Sequence, residues 1–203
     1  KPALRGETVW ARNSADLIAR VEVRDLEGTF KKGIVIEHGT EALLLADGRL
    51  AGPLEPGRHN LQALLRRFVH LQLRYEGTAI IYDTAEFSLQ FKDVKALTRE
   101  NAEVFVDCEL RLRVADGNKV FTTLMKGATQ YPRAALQAFL APEVVNGLAE
   151  AVRPHGVQEF RESFALKADF DRALASHLAT TLSHTGLALA YVRAELPRLC
   201  RYE

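Results

Sequence analysis

Between Thr98 and Asp116 the chain alternates with a period of two. Val104, Val106, Cys108, Leu110, Leu112 and Val114 are apolar; between them stand Glu103, Asp107, Glu109, Arg111 and Arg113, with Phe105 the one departure. Helical geometry would scatter these residues around an axis, so the pattern predicts a long strand with one buried and one wet face. Shorter strands precede it. Gly33–Ile36 reads as a strand, Glu37–Thr40 as a turn and Glu41–Ala46 as the partner strand. Asp47-Gly48 is a hairpin turn leading into Arg49–Leu54, and Pro53, Pro56 and Gly57 punctuate the exit. Ala79–Tyr82 and Phe87–Phe91 read as two further strands. Leu61–Leu73 changes spacing midway, from Leu61, Leu64, Leu65 and Phe68 to Val69, Leu71 and Leu73, which predicts a helical turn running into a strand. Nearer the start, Trp10, Leu17, Ile18, Val21 and Val23 fit a short strand or a helix, and the pattern does not choose.

Helical spacing takes over after the long strand. Gly117–Lys126 predicts a short helix with Val120, Phe121, Leu124 and Met125 on one side. Arg133–Leu140 begins another, with Pro142 expected in the first turn of its continuation, where a missing N–H does no harm. Val144, Val145, Leu148 and Val152 form its stripe, and Pro154 and Gly156 end it. In a last helix from Lys167 to His184, Phe170, Leu174, Leu178 and Leu182 recur every four residues, with Gly186 as the stop. Leu187–Leu196 then reads as a final strand closed by Pro197. Strands first, then strand, helices and strand, is the segregated order of an α+β fold.

Composition narrows the function more than the fold. The chain is 47% hydrophobic and 26% charged, which excludes wholesale disorder. Lys and Arg number 27 against 26 acidic residues, so no basic field exists to collect nucleic acid. Two cysteines make no disulfide framework; Cys108 is expected in the core and Cys200 lies in a basic tail. No run reaches the ~18–20 apolar residues that span a bilayer. The chain opens on Lys1 rather than Met, as expected of a processed product or a segment of a longer protein, which leaves a membrane segment elsewhere open.

Four segments, taken in order, resemble the SPFH domain shared by stomatins, prohibitins and flotillins (Band 7). They are Ile34–Leu61 with its Pro-Gly-x-His turn, the strand pair around Ile80–Phe91, Thr98–Asp116, and the close from Thr185-Gly186 to Pro197. The resemblance implies an N-terminal extension at 1–30, a β-rich subdomain at 31–98, a strand–helix–strand subdomain at 99–197, and the start of a C-terminal extension at 198–203. It also implies a non-enzymatic scaffold that forms homo-oligomers without a cofactor or small-molecule substrate. Such a scaffold organises membrane patches or partner proteins, membrane proteases among them, from the soluble, cytoplasmic side. The hydrophobic anchor and long coiled coil usual in the family do not fall within these 203 residues. A soluble interaction module in a cytosolic complex is therefore the alternative, with an enzyme of unreadable site behind it.

Candidate chemistry is sparse. His177 and His184 are seven apart on the last predicted helix, ~10.5 Å along its axis, too far to share one ion, and no H-E-x-x-H accompanies them. His38 and His59 fall in turns, where a turn-stabilising hydrogen bond is the expected role. Ser14, Ser88, Ser163, Ser176 and Ser183 have no nucleophile elbow around them, and no Gly-x-x-x-x-Gly-Lys phosphate loop occurs. No catalytic, cofactor or metal residue is assigned. The charged face of the long strand, Asp107, Glu109, Arg111 and Arg113, is the candidate assembly face; a solvated face with ion pairs inside one subunit is the plainer reading. Leu50 and Leu54 form a candidate membrane-proximal hairpin.

Overall fold

The computed structural model describes residues 12–22, 34–46, 49–60, 77–162 and 165–199. The predicted helical turn at Leu61–Leu73 and the Asp47-Gly48 turn lie outside them. The chain divides into two compact units, Lys1–Ala85 with Val114–Arg133, and Glu86–Arg113 with Ala134–Glu203. The mixed α+β class expected from the sequence holds.

The first unit is built on a five-stranded antiparallel sheet. Its strands are β1 (Asp16–Glu22), β3 (Thr40–Ala46), β4 (Arg49–Leu54), β6 (Gly77–Asp83) and β9 (Gln130–Pro132), in the order β4-β3-β6-β1-β9. Two short strands, β2 (Ile34–Ile36) and β5 (Gly57–His59), pair with each other. Ile34 and Ile36 cover one face of the large sheet, where Ala19, Val21, Ala42, Leu44, Leu54, Ala79 and Ile81 form a core. On the other face Ile18 stands opposite Tyr82 and Arg20 opposite Ile80. Helix α1 (Gly117–Val120), capped by the Asp116 carboxylate, packs here. A methyl group at Gly117 would overlap the Tyr82 ring, so the helix comes this close only because it starts on glycine. A π-helical turn (Phe121–Met125) follows, replacing the last part of the helix predicted to Lys126, and ends at Lys126 in the left-handed region.

The second unit centres on β7 (Phe87–Leu97) and β8 (Glu103–Val114), a long antiparallel pair running from Phe87 opposite Leu112 to Leu97 opposite Glu103. The single residue Val114 at the end of β8 belongs to the first unit. A bulge between Phe91 and Val94 interrupts the pair. Across β8 from β7 lie β10 (Leu187–Ala194) and the two-residue β11 (Arg198–Leu199). Helices α2 (Arg133–Val152), α3 (Glu159–Glu162) and α4 (Ala165–Thr185) complete the unit. Leu136, Leu140, Val144, Leu148 and Val152 are buried on α2, as are Phe170, Leu174, Leu178 and Leu182 on α4, the i+4 row the sequence predicts. Gly147 sets the helix spacing: a Cβ there would stand 2.9 Å from Leu174 and 3.1 Å from the His177 ring.

Several pairings differ from expectation. Glu41–Ala46 does not pair with Ile34–Ile36; β3 lies between β4 and β6, and β2 turns to β5. Ala79–Tyr82 and Phe87–Phe91 are not a pair, because the chain leaves one unit for the other between Ala85 and Glu86. Pro142 sits inside the single 20-residue helix α2 rather than in a first turn. It is exposed, and so is Ala138, whose carbonyl would have received the missing N–H, so water can satisfy it. The final strand stops at Ala194. The undecided segment around Leu17 is the strand β1.

Candidate functional site

Every even residue of β8 from Val104 to Val114 is buried, which pushes the odd residues onto the outer face of the second unit's sheet. The four residues of the candidate assembly face therefore share one surface, but they are not equally free. Asp107 accepts Arg198 Nη1 at 2.7 Å and the backbone N–H of Asp93 at 2.7 Å, and Arg198 also bonds Asp93. These bonds hold the Asp107 carboxyl below its usual range; the Arg198 side chain contributes most, the Asp93 N–H less, and burial opposes both. Arg198 is stabilised as a cation by the same two carboxylates. Glu109 accepts a 2.6 Å bond from the Ser88 hydroxyl and lies 3.9 Å from Arg111. Arg111 leans over the Tyr191 ring, 5.9 Å from its centroid. Arg113 is exposed and makes no hydrogen bond or ion pair among the described residues.

The acidic end of the row is thus tied up within the chain, and its basic end is open. Sequence reasoning missed Arg198 and Tyr191, which come from the end of the chain; Arg198 is 91 positions from Asp107, and no local pattern announces the contact.

The loop between β7 and β8 has a separate structural task. Ala102 N–H donates to the buried Thr98 hydroxyl, Asn101 adopts a left-handed φ of 60°, and Arg99 N–H donates to the His155 carbonyl. Glu159 receives His155 Nδ1 at 2.9 Å and the Gly156 N–H at 3.2 Å. The His155 bond is the main cause of the lowered Glu159 carboxyl. The Thr-Arg-Glu-Asn run is in this way a clamp onto the turn after α2.

The hairpin leucines are separated by burial. Leu54 is 5% exposed and belongs to the first unit's core, whereas Leu50 is 58% exposed. His59 Nε2 lies 2.7 Å from the Glu55 carbonyl, the turn bond expected of it. His177 Nδ1 lies 3.2 Å from Glu150, while its Nε2 is 3.3 Å from Glu143 without hydrogen-bond alignment. No group of three or more His, Cys, Asp and Glu among the described residues is arranged to hold a metal ion. Burial, with the charges of Asp107 and Asp171, pushes the Cys108 thiol up to about 12, so it stays protonated at neutral pH.

The resembling segments, carried in order through the two units of this α+β chain, define an SPFH-type domain. The profile of the SPFH domain / Band 7 family matches residues 34–199, and the chain belongs to that family. Its members are generally non-enzymatic, typically oligomerise and are often membrane-associated. No curated protein matches the chain. No helix among the described residues is long and apolar enough to cross a membrane.

Proposed function

We propose that this chain is a non-enzymatic scaffold subunit that self-assembles and organises membrane patches or partner proteins, membrane proteases among them. Membership of the SPFH family over residues 34–199 carries the reading. The β8 face supplies the lateral contact: Arg111 and Arg113 reach a neighbouring subunit, and Asp107 and Glu109, bonded within the chain, border that contact. Leu50, exposed on the β3–β4 hairpin, is the membrane-proximal residue, with Leu54 anchoring the hairpin behind it.

Light scattering after size exclusion, with and without detergent, tests this on the full-length protein. A large defined oligomer that needs detergent or lipid, and dissociates when Arg111 and Arg113 are both changed to Glu, is expected. A monomer or dimer indifferent to detergent favours the soluble interaction module instead.

A further inference from the structure

The sheet edges of this protein are unequally protected. An edge strand presents unpaired N–H and C=O groups that invite another strand, and proteins blunt such edges with bulges, prolines, charges or caps. In the first unit β4 carries Pro53 and β9 ends on Pro132. In the second, β7 has its bulge, Asp93 in the left-handed region and Lys92 and Lys95 alongside, while Gln137 caps the Gln90 carbonyl at 2.7 Å. The opposite edge, β10, is different. Leu187–Val192 is Leu-Ala-Leu-Ala-Tyr-Val, without a charge or a proline, and among the described residues no strand lies beyond it.

Backbone direction follows from two bonds. Glu195 N–H donates inward to the Asp107 carbonyl of β8, and Ala194 N–H donates to the Asp171 carboxylate at 2.6 Å. Alternation along the strand then turns the N–H groups of Ala188, Ala190 and Val192 to the outer edge. Asp171 closes that edge at Ala194 only.

Charge supplies the identity of the occupant. Arg111 already lies over Tyr191, so its guanidinium stands above β10, and Tyr191 itself is 46% exposed. Arg113 and Arg193 are exposed and make no hydrogen bond or ion pair among the described residues. Of the acids nearby, Asp107 is paired with Arg198, Glu109 accepts from Ser88 and lies 3.9 Å from Arg111, and Glu195 lies past the end of β10, which leaves the Arg113 and Arg193 guanidinium groups unpaired among the described residues. A strand added ~4.8 Å beyond β10 would meet backbone donors along its length and three guanidinium groups on one face.

We propose that β10 is a docking strand for an extended acidic segment of a partner protein, which joins the sheet along its outer edge and sets alternate carboxylates toward Arg111, Arg113 and Arg193. Main-chain bonds give the affinity, and the arginine row selects acidic over basic sequences. The contact goes beyond self-assembly: it shares Arg111 and Arg113 with the proposed subunit contact, whereas the outward N–H groups of β10 and Arg193 belong to it alone.

Fluorescence anisotropy tests it, using the full chain and a labelled ten-residue peptide of alternating Glu and Val. A matched Lys–Val peptide is the control. Saturable binding of the Glu–Val peptide alone is expected. Val192→Pro, which removes an outward N–H and spares the bonds to β8, should weaken it at least tenfold; Arg193→Glu, exposed and outside the proposed subunit contact, should do the same. The proposal is overturned if neither variant changes binding, if both peptides bind alike, or if the Glu–Val peptide does not bind. It is equally overturned if Val192→Pro alters only the oligomer mass by light scattering, which would assign the edge to a second copy of the chain.

Discussion

In β6 of the first unit Ala79, Ile80, Ile81 and Tyr82 are all buried, whereas in β8 of the second unit burial falls on every other residue. The first sheet is covered on both faces, by Ile34 and Ile36 on one and by the Gly117 end of α1 on the other. The second sheet keeps one face in water. Their ion pairs differ in the same way. Asp83, at the end of β6, gathers Arg12 and Arg133 with its side chain 6% exposed, and Arg12 is 7% exposed. Arg198 gathers Asp93 and Asp107 at the surface. One arrangement, a single charge held by two opposite ones, is thus placed in two dielectric settings, and its worth should differ accordingly.

Asp83→Ala gives the largest effect, because it removes the buried carboxylate shared by Arg12 and Arg133; a loss of about 3–5 kcal/mol is expected in urea unfolding. Arg198→Ala removes a surface pair of the same connectivity, screened by water, and should cost far less. Equal losses would end the contrast. Next come the apolar positions. Ile80→Ala and Ile81→Ala, on opposite faces of β6, should each lose about 2–5 kcal/mol. In β8 only one of two neighbours should respond: Leu110→Ala by a similar amount, Arg111→Ala by no more than about 0.5 kcal/mol.

The smallest effect is a pH dependence. Asp107 titrates lower in the folded chain than in the unfolded one, so its pair with Arg198 adds stability above about pH 4, and that contribution fades as pH falls through the folded value. Carboxyl-carbon NMR should place the Asp107 midpoint below the ordinary range and see it rise in Arg198→Ala. An unmoved midpoint would mean that Arg198 does not hold this carboxylate in solution.

The same contrast explains what could be read in advance. β8 was legible because water on one face writes an alternation into the sequence, and α4 was legible because Phe170, Leu174, Leu178 and Leu182 repeat at the helical period. β1 was not, since Asp16–Ala19 are buried in succession and leave no period to count. Pairing was harder still. Nothing local says that Ile34–Ile36 will pass over Glu41–Ala46 to reach Gly57–His59, or that β6 and β7 will part into separate units. The charged face itself was visible as a pattern; which of its members remain free was decided by Arg198, from the far end of the chain.

Thr185 is the last residue of α4 and Leu187 the first of β10, so Gly186, at φ 80°, is the whole connection. With no slack there, the rotational phase of the helix dictates which side chains of the strand face out. One residue inserted at this joint would exchange the two sides of β10, moving Tyr191 and Arg193 inward and Val192 outward. Elsewhere a loop can absorb a change of length. Here the chain has to be copied without insertion or deletion, and the spacing from Phe170 to Tyr191 should be among the most invariant lengths in this protein's relatives.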